Sequence, residues 1–214
     1  VLREVADRNS ALRETVVLTL SFGRVVVKPS EKLRGLVPSS FDSYQVLEPG
    51  DIVVRPTDLQ NDQRSVRVGL VRDRGIITSA YLGLRVRAHL TADYAYLQLA
   101  TLDAMKVFYG MGSGLRQNLE WLDFKRLPLL APSLDEQAAF VKYLAHAHNR
   151  IDRAIDAKRR LIALLEEQKQ AMINQAVTRG LDPTVPLKDT GIPWLGRVPS
   201  HWEVAALRHR YAQM

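Results

Sequence analysis

Between Ser133 and Gly180 the sequence contains neither glycine nor proline. Pro132 and Ser133 stand at its start, and Glu136 follows the serine by three positions, which is a capping-box signature for a helix N-terminus. At the far end Arg179 supplies a cationic last turn, and Gly180 is free to adopt the left-handed cap. The spacing predicts one helix over 134–178, about 44 residues and about 65 Å long at 1.5 Å per residue. A chain of 214 residues cannot wrap such a rod into one compact domain.

The helix also carries a seam. Steps alternating three and four select Val141, Leu144, His148, Ile151, Ile155, Lys158, Ile162, Leu165, Lys169, Met172 and Ala176. Eight of these eleven are apolar, a heptad pattern whose knobs fit the holes of a partner helix. Leu161 and Leu164 widen the stripe. One helix cannot bury such a seam alone; a second helix is expected, from another copy or from elsewhere in a longer protein. The alternative is a solvated helix packed along its own domain.

Residues 1–133 have a different texture. The β-branched runs at 16–20 and 24–27, separated by Ser21-Phe22-Gly23, predict short strands. Glu48-Pro49-Gly50-Asp51 is a turn signal leading into a strand at 52–55. Further strands are expected at 66–71, 75–78 and 82–87, with Asp73-Arg74-Gly75 as a hairpin turn. Residues 94–109 read as a helix ended by the Gly-rich 110–114. Residues 179–214, punctuated by proline and glycine but carrying Trp194 and Trp202, read as a docking tail. The predicted class is therefore α+β: a strand-rich globular domain (1–133), a long coiled-coil helix (134–178) and the tail (179–214).

Composition narrows the function. Apolar residues form 46% of the chain, enough for a packed core. There is no cysteine, which excludes disulfides and cysteine-ligated zinc and fits a cytoplasmic protein. No apolar run is long enough to span a membrane, and the charged start, Val1 to Asp7, has no signal-peptide core. Net charge is +7, of which residues 1–133 contribute +4 (18 Lys/Arg against 14 Asp/Glu). A polyanion is the natural partner, although many basic proteins bind no nucleic acid.

Catalytic patterns are missing. The sequence holds no phosphate-binding G-x-x-x-x-G-K-[ST], no H-E-x-x-H and no G-x-S-x-G. Gly110, Gly112 and Gly114 follow a predicted helix and do not form a dinucleotide fingerprint. His146 and His148, two apart on a helix, face different directions, and the five histidines form no metal cluster. The expectation is a non-enzyme without metal or cofactor of its own.

Two polar stretches have the composition of base readers. Arg55, Asp58, Gln60, Asn61, Arg64 and Arg67 lie in a loop between strands, where Arg, Asn and Gln suit guanine and adenine edges. The bland alternative is a surface loop whose Arg and Asp solvate one another. Ser113, Gly114, Arg116, Gln117 and Asn118 combine small residues, which admit a phosphate, with polar ones. Ser79 and Tyr81 are lesser candidates.

Three blocks carry a family resemblance. They are Pro49-Gly50-Asp51-Ile52-Val53-Val54-Arg55-Pro56-Thr57-Asp58-Leu59 with Gly75-Ile76-Ile77-Thr78-Ser79-Ala80-Tyr81; Gly112-Ser113-Gly114-Leu115-Arg116-Gln117-Asn118-Leu119 through Leu134-Asp135-Glu136-Gln137; and the helix from Ile151 onward with Gly191-Ile192-Pro193-Trp194-Leu195-Gly196 and Val198-Pro199-Ser200-His201-Trp202. Together they resemble the specificity subunit of type I restriction–modification systems. The resemblance implies a target recognition domain that reads one half of a split double-stranded DNA target, and a conserved helix that pairs antiparallel with a second as a spacer. It also implies methylation subunits carrying the S-adenosylmethionine chemistry, and restriction subunits that cleave. The chain matches half of that pattern and reads as a half-subunit or a fragment, expected to dimerise through the seam. A coiled-coil assembly adaptor, and a DNA-binding fragment of a nuclease or methyltransferase, are the other readings.

Overall fold

The computed structural model describes residues 1–29, 40–62, 64–111 and 118–205, which fall into two units, Val1–His146 and Ala147–Met214.

The first unit is built around a strand without a polar face. In β5 (Ile52–Val54) all three side chains are fully buried. Side chains alternate across a strand, so Ile52 and Val54 share one apolar cluster with Leu59, Leu84, Leu99 and Phe108, while Val53 joins Val5, Leu47, Val71 and Ile77 on the other side. β5 lies inside an antiparallel sheet ordered β1 (Leu2–Glu4), β8 (Leu82–Val86), β5, β6 (Val68–Leu70). Ile52 pairs with Leu84 on one side and Leu70 on the other. Two small antiparallel ribbons, β2–β3 (Leu18–Ser21, Arg24–Val27) and β4–β7 (Gln45–Leu47, Gly75–Ile77), accompany the sheet, with Leu18, Val25, Leu47 and Ile77 in the cluster around Val53. Helix α1 (Ala92–Ala104) places Ala95 and Leu99 in the other cluster. Phe108 meets Phe124 of the short α2 (Trp121–Lys125) edge to face at 5.3 Å.

Two local expectations are corrected. Residues 73–75 do not close a hairpin: β6 pairs with β5, whereas β7 pairs with β4. The β5–β6 ladder runs on through the Gly50 N–H to Val71 carbonyl bond, so the chain leaves one sheet at Val71 and enters another at Gly75. The stretch 94–109 is not one helix. Met105 caps α1, Lys106 takes a left-handed φ of 63°, and a 3-10 turn follows over Val107–Gly110. That break accompanies a buried Phe108 and a Tyr109 hydroxyl bonded to Arg67.

Helix α3 (Leu134–Arg179) forms as the sequence predicts. Its capping box is complete: the Ser133 N–H and hydroxyl donate to the Glu136 carboxylate at 3.0 and 2.8 Å, and the Glu136 N–H donates back to the hydroxyl. Gln137 is fully buried. Its amide donates to the carbonyls of His89 (2.7 Å) and Pro132 (2.9 Å) and accepts from the Thr91 N–H (2.8 Å). Seam residues Val141 and Leu144 are half-buried in the first unit, Leu144 in an apolar groove with Tyr94, Leu97 and Phe140.

In the second unit Ile151, Ile155, Ile162, Leu165 and Met172 are 42–63% exposed. Gly180 ends the helix with φ 78°, and Pro199 and Trp202 pack beside it. A two-stranded ribbon follows, β9 (Leu187–Asp189) against β10 (Arg197–Pro199). Val198 is buried there, whereas Trp194 is 84% exposed. Among the described residues no helix is long and apolar enough to cross a membrane.

Candidate nucleic-acid interface

The loop between β5 and β6 is held by one side chain that sequence reasoning assigns to DNA. Arg67 is fully buried, and its guanidinium is spent on the loop itself. It donates to the carbonyls of Arg55 (3.3 Å), Thr57 (2.7 Å), Asp58 (3.1 Å) and Asp62, and Nε donates to the Tyr109 hydroxyl at 3.1 Å. Tyr109 in turn donates to the Asp62 carbonyl at 3.1 Å. The Arg67 N–H donates to Asp103 Oδ2 at 2.7 Å, and burial pushes the Asp103 carboxyl above the usual carboxylate range. The expectation that Arg67 reads bases is therefore corrected: no donor is left for a ligand, and no path leads to one. Its partners Asp103 and Tyr109 lie 36 and 42 residues along the chain, beyond the reach of any local pattern.

The remainder of the loop is shaped around that pin. Asp58 takes a left-handed φ of 62°, and its backbone N–H donates to the Asn118 side chain at 3.2 Å. Asn61 donates to the Asp58 carboxylate at 2.8 Å. The Asp62 carboxylate accepts from the N–H groups of Arg64 and Ser65 and pairs with Arg55 at 3.1 Å. The Ser65 hydroxyl first, then these N–H donors and Arg55, hold the Asp62 carboxyl down at about 2. Arg55 is thus tied into the loop and only partly exposed. Gln60, Asn61 and Arg64 stand on the exposed side, where an edge of a base or a phosphate can reach them.

Asn118 and Leu119 lie beside the loop because the Leu119 N–H donates to the Pro56 carbonyl at 2.8 Å. Ser79 and Tyr81 line a neighbouring cleft of about 630 Å³ with Pro56, Leu119 and Trp121. The structure thus gathers Asp58, Asn61 and Asn118 into one bonded group and leaves Ser79 and Tyr81 across the cleft. Ser113, Gly114, Arg116 and Gln117 lie outside the described residues. Among the described residues no group of three His, Asp or Glu side chains is placed to hold a metal.

Other motif residues are structural. Asp51 of the Pro-Gly-Asp turn accepts a forked pair from Arg85, Nε at 2.7 Å and NH2 at 2.6 Å, which raises the Arg85 pKa further above its ordinary value. It also accepts the Glu48 N–H at 2.8 Å.

Comparison with solved structures places this architecture. A chain from a structure of the type I R-M system, described in terms of its complex assembly and conformational transition, superposes over 61% of this chain with a TM-score of 0.51 and 19% identity. The fold is similar to one found in a type I restriction–modification system. The HsdS subunit from Thermoanaerobacter tengcongensis matches over 62% of this chain at 20% identity, with a TM-score of 0.45. The matches cover 31% and 30% of those two chains, so this chain spans about a third of their length. No protein-family model and no curated protein matches the sequence.

Proposed function

We propose that this chain is the non-catalytic DNA-specificity component of a type I restriction–modification complex and reads one half of a bipartite duplex target. The observation that carries the reading is the 55–67 loop. A buried guanidinium fixes its main chain, and Gln60, Asn61 and Arg64, with Asn118 beside them, face outward. Phosphate attraction by Lys and Arg supplies affinity, and side chains on a preset backbone supply base selection. The similarity of the fold to a type I R-M chain supports it.

In this proposal methylation subunits bring S-adenosylmethionine, restriction subunits cleave, and the assembly works in the cytoplasm. The exposed Ile151, Ile155, Ile162, Leu165 and Met172 take a second long helix, in a homodimer of this chain or from another part of a longer protein. Co-purification with the methylation subunit, followed by mapping of methylated sites, is the test. A single split recognition sequence is expected; purification without that subunit and no site-selective methylation would overturn the reading. Titration with random duplex DNA separates it from a protein-only coiled-coil adaptor. Recognition predicts log affinity falling with log salt at a slope of about −0.9 per neutralised phosphate, and the adaptor predicts no binding. Arg64→Ala should weaken binding by roughly 1–3 kcal/mol if the side chain grips a base.

A further inference from the structure

At the tip of the β2–β3 ribbon the chain presents a phenylalanine where physics disfavours one. Ser21 pairs with Arg24, so the connection is the two-residue turn Phe22-Gly23. Both turn residues have positive φ, 48° and 75°, the combination a type I′ turn requires. Asparagine or glycine suits the first position; a bulky side chain there is an outlier. The ring gains no burial in return: Phe22 is 95% exposed, while Leu18 and Val25 of the same ribbon are in the core.

The tip is not free to wander. A Cβ on Gly23 would lie 2.6 Å from Val66 Cγ1, so the turn is seated on the end of the 55–67 loop, two residues from Arg64. Leu20 and Val25 likewise press on Gly69 of β6. Ser21 and Arg24 flank the turn and are exposed, and the half-exposed Val66 lies beneath it. Among the described residues neither Arg24 nor Arg64 forms an ion pair. A single rigid aromatic amid cations has the chemistry of a wedge for a base step, because the ring takes the base face and the cations take the flanking phosphates.

We propose that Phe22 stacks on a base of bound duplex DNA at a step that opens beside the 55–67 loop. The proposal rests on the DNA-recognition reading above. It makes Phe22 a determinant of which steps the chain accepts, since steps that unstack readily cost least to open.

The test compares the wild-type chain with Phe22→Asn and Phe22→Trp, using fluorescence anisotropy with random-sequence duplexes that are fully paired or carry one central mismatch. Asn-Gly is the favoured type I′ pair, so Phe22→Asn should melt no lower than wild type, and a binding loss cannot be blamed on misfolding. Its affinity should fall by about five- to a hundredfold, whereas Phe22→Trp should keep it. The wild type should favour the mismatched duplex, whose unstacking is partly done already, and Phe22→Asn should lose that preference. If Phe22→Asn binds both duplexes as tightly as the wild type, in the same salt-dependent way, the stacking role is overturned and the DNA reading stands. If the wild type binds neither duplex, the reading itself falls.

Discussion

Replacing Arg67 by methionine separates two roles that would both weaken DNA binding. The substitution keeps a flexible apolar stem and removes the guanidinium, which donates to four carbonyls and one phenol. Five bonds from a charged donor at about 1.5–3 kcal/mol each sum to at least about 7 kcal/mol. Two effects reduce that figure. A buried charge no longer has to be held out of water, and the carbonyls of a loosened loop recover hydration. The expected net loss is about 3–5 kcal/mol, the range seen when one partner of a buried polar network is removed. At about 2–4 °C per kcal/mol for a domain of this size, the melting temperature should fall by about 10 °C. Urea denaturation gives the loss, and hydrogen exchange should show protection disappearing first at residues 58–62. A stability within about 1 kcal/mol of wild type, combined with a lost DNA affinity, would refute the argument and return Arg67 to the DNA surface.

Further outcomes are expected elsewhere. Gln137→Ala removes three bonds at a fully buried site and should cost about 2–3 kcal/mol in urea denaturation; an unchanged midpoint would mean that the start of α3 is held by packing alone. Asp62 is held near 2 from an ordinary 3.8, so its stabilisation is complete above about pH 4 and fades as pH falls toward 2. Exchange protection of the Arg64 and Ser65 amides should collapse in that window, and Asp62→Asn should abolish the pH dependence; a flat wild-type profile would exclude Asp62 as the cause. Replacing both Ile155 and Ile162 by lysine should convert a dimer to a monomer in sedimentation at equal concentration, unless the seam takes no second copy, in which case the masses will agree.

How far the sequence could be read follows the range of the forces involved. Helix α3 was legible because its signals are local: a serine and a glutamate three apart, a glycine at the end, and no breaker between. Strands at 52–54 and 68–70 were legible from β-branched composition. The partner of β7 was not, because Asp73-Arg74-Gly75 satisfies a turn's chemistry whichever sheet receives the next strand, and contacts far along the chain decide that. The same limit applies to Arg67. A string of Arg, Asn and Gln has one composition whether it faces solvent or is turned inward, and only the distant Asp103 and Tyr109 settle it. Phe22 was legible as a residue between two strands but not as an exposed ring, since pairing Ser21 with Arg24 is what pushes it to the tip.

Arg67 grips oxygen atoms of the main chain, which every residue type supplies in the same place. The side chains at positions 60 and 64 are therefore chemically independent of the support beneath them, whereas Asn61 is tied to the Asp58 carboxylate. Those two side chains can be exchanged for others without disturbing the curve that displays them, so under the proposed function a changed DNA preference would need substitutions at those two positions and no rebuilding of the loop.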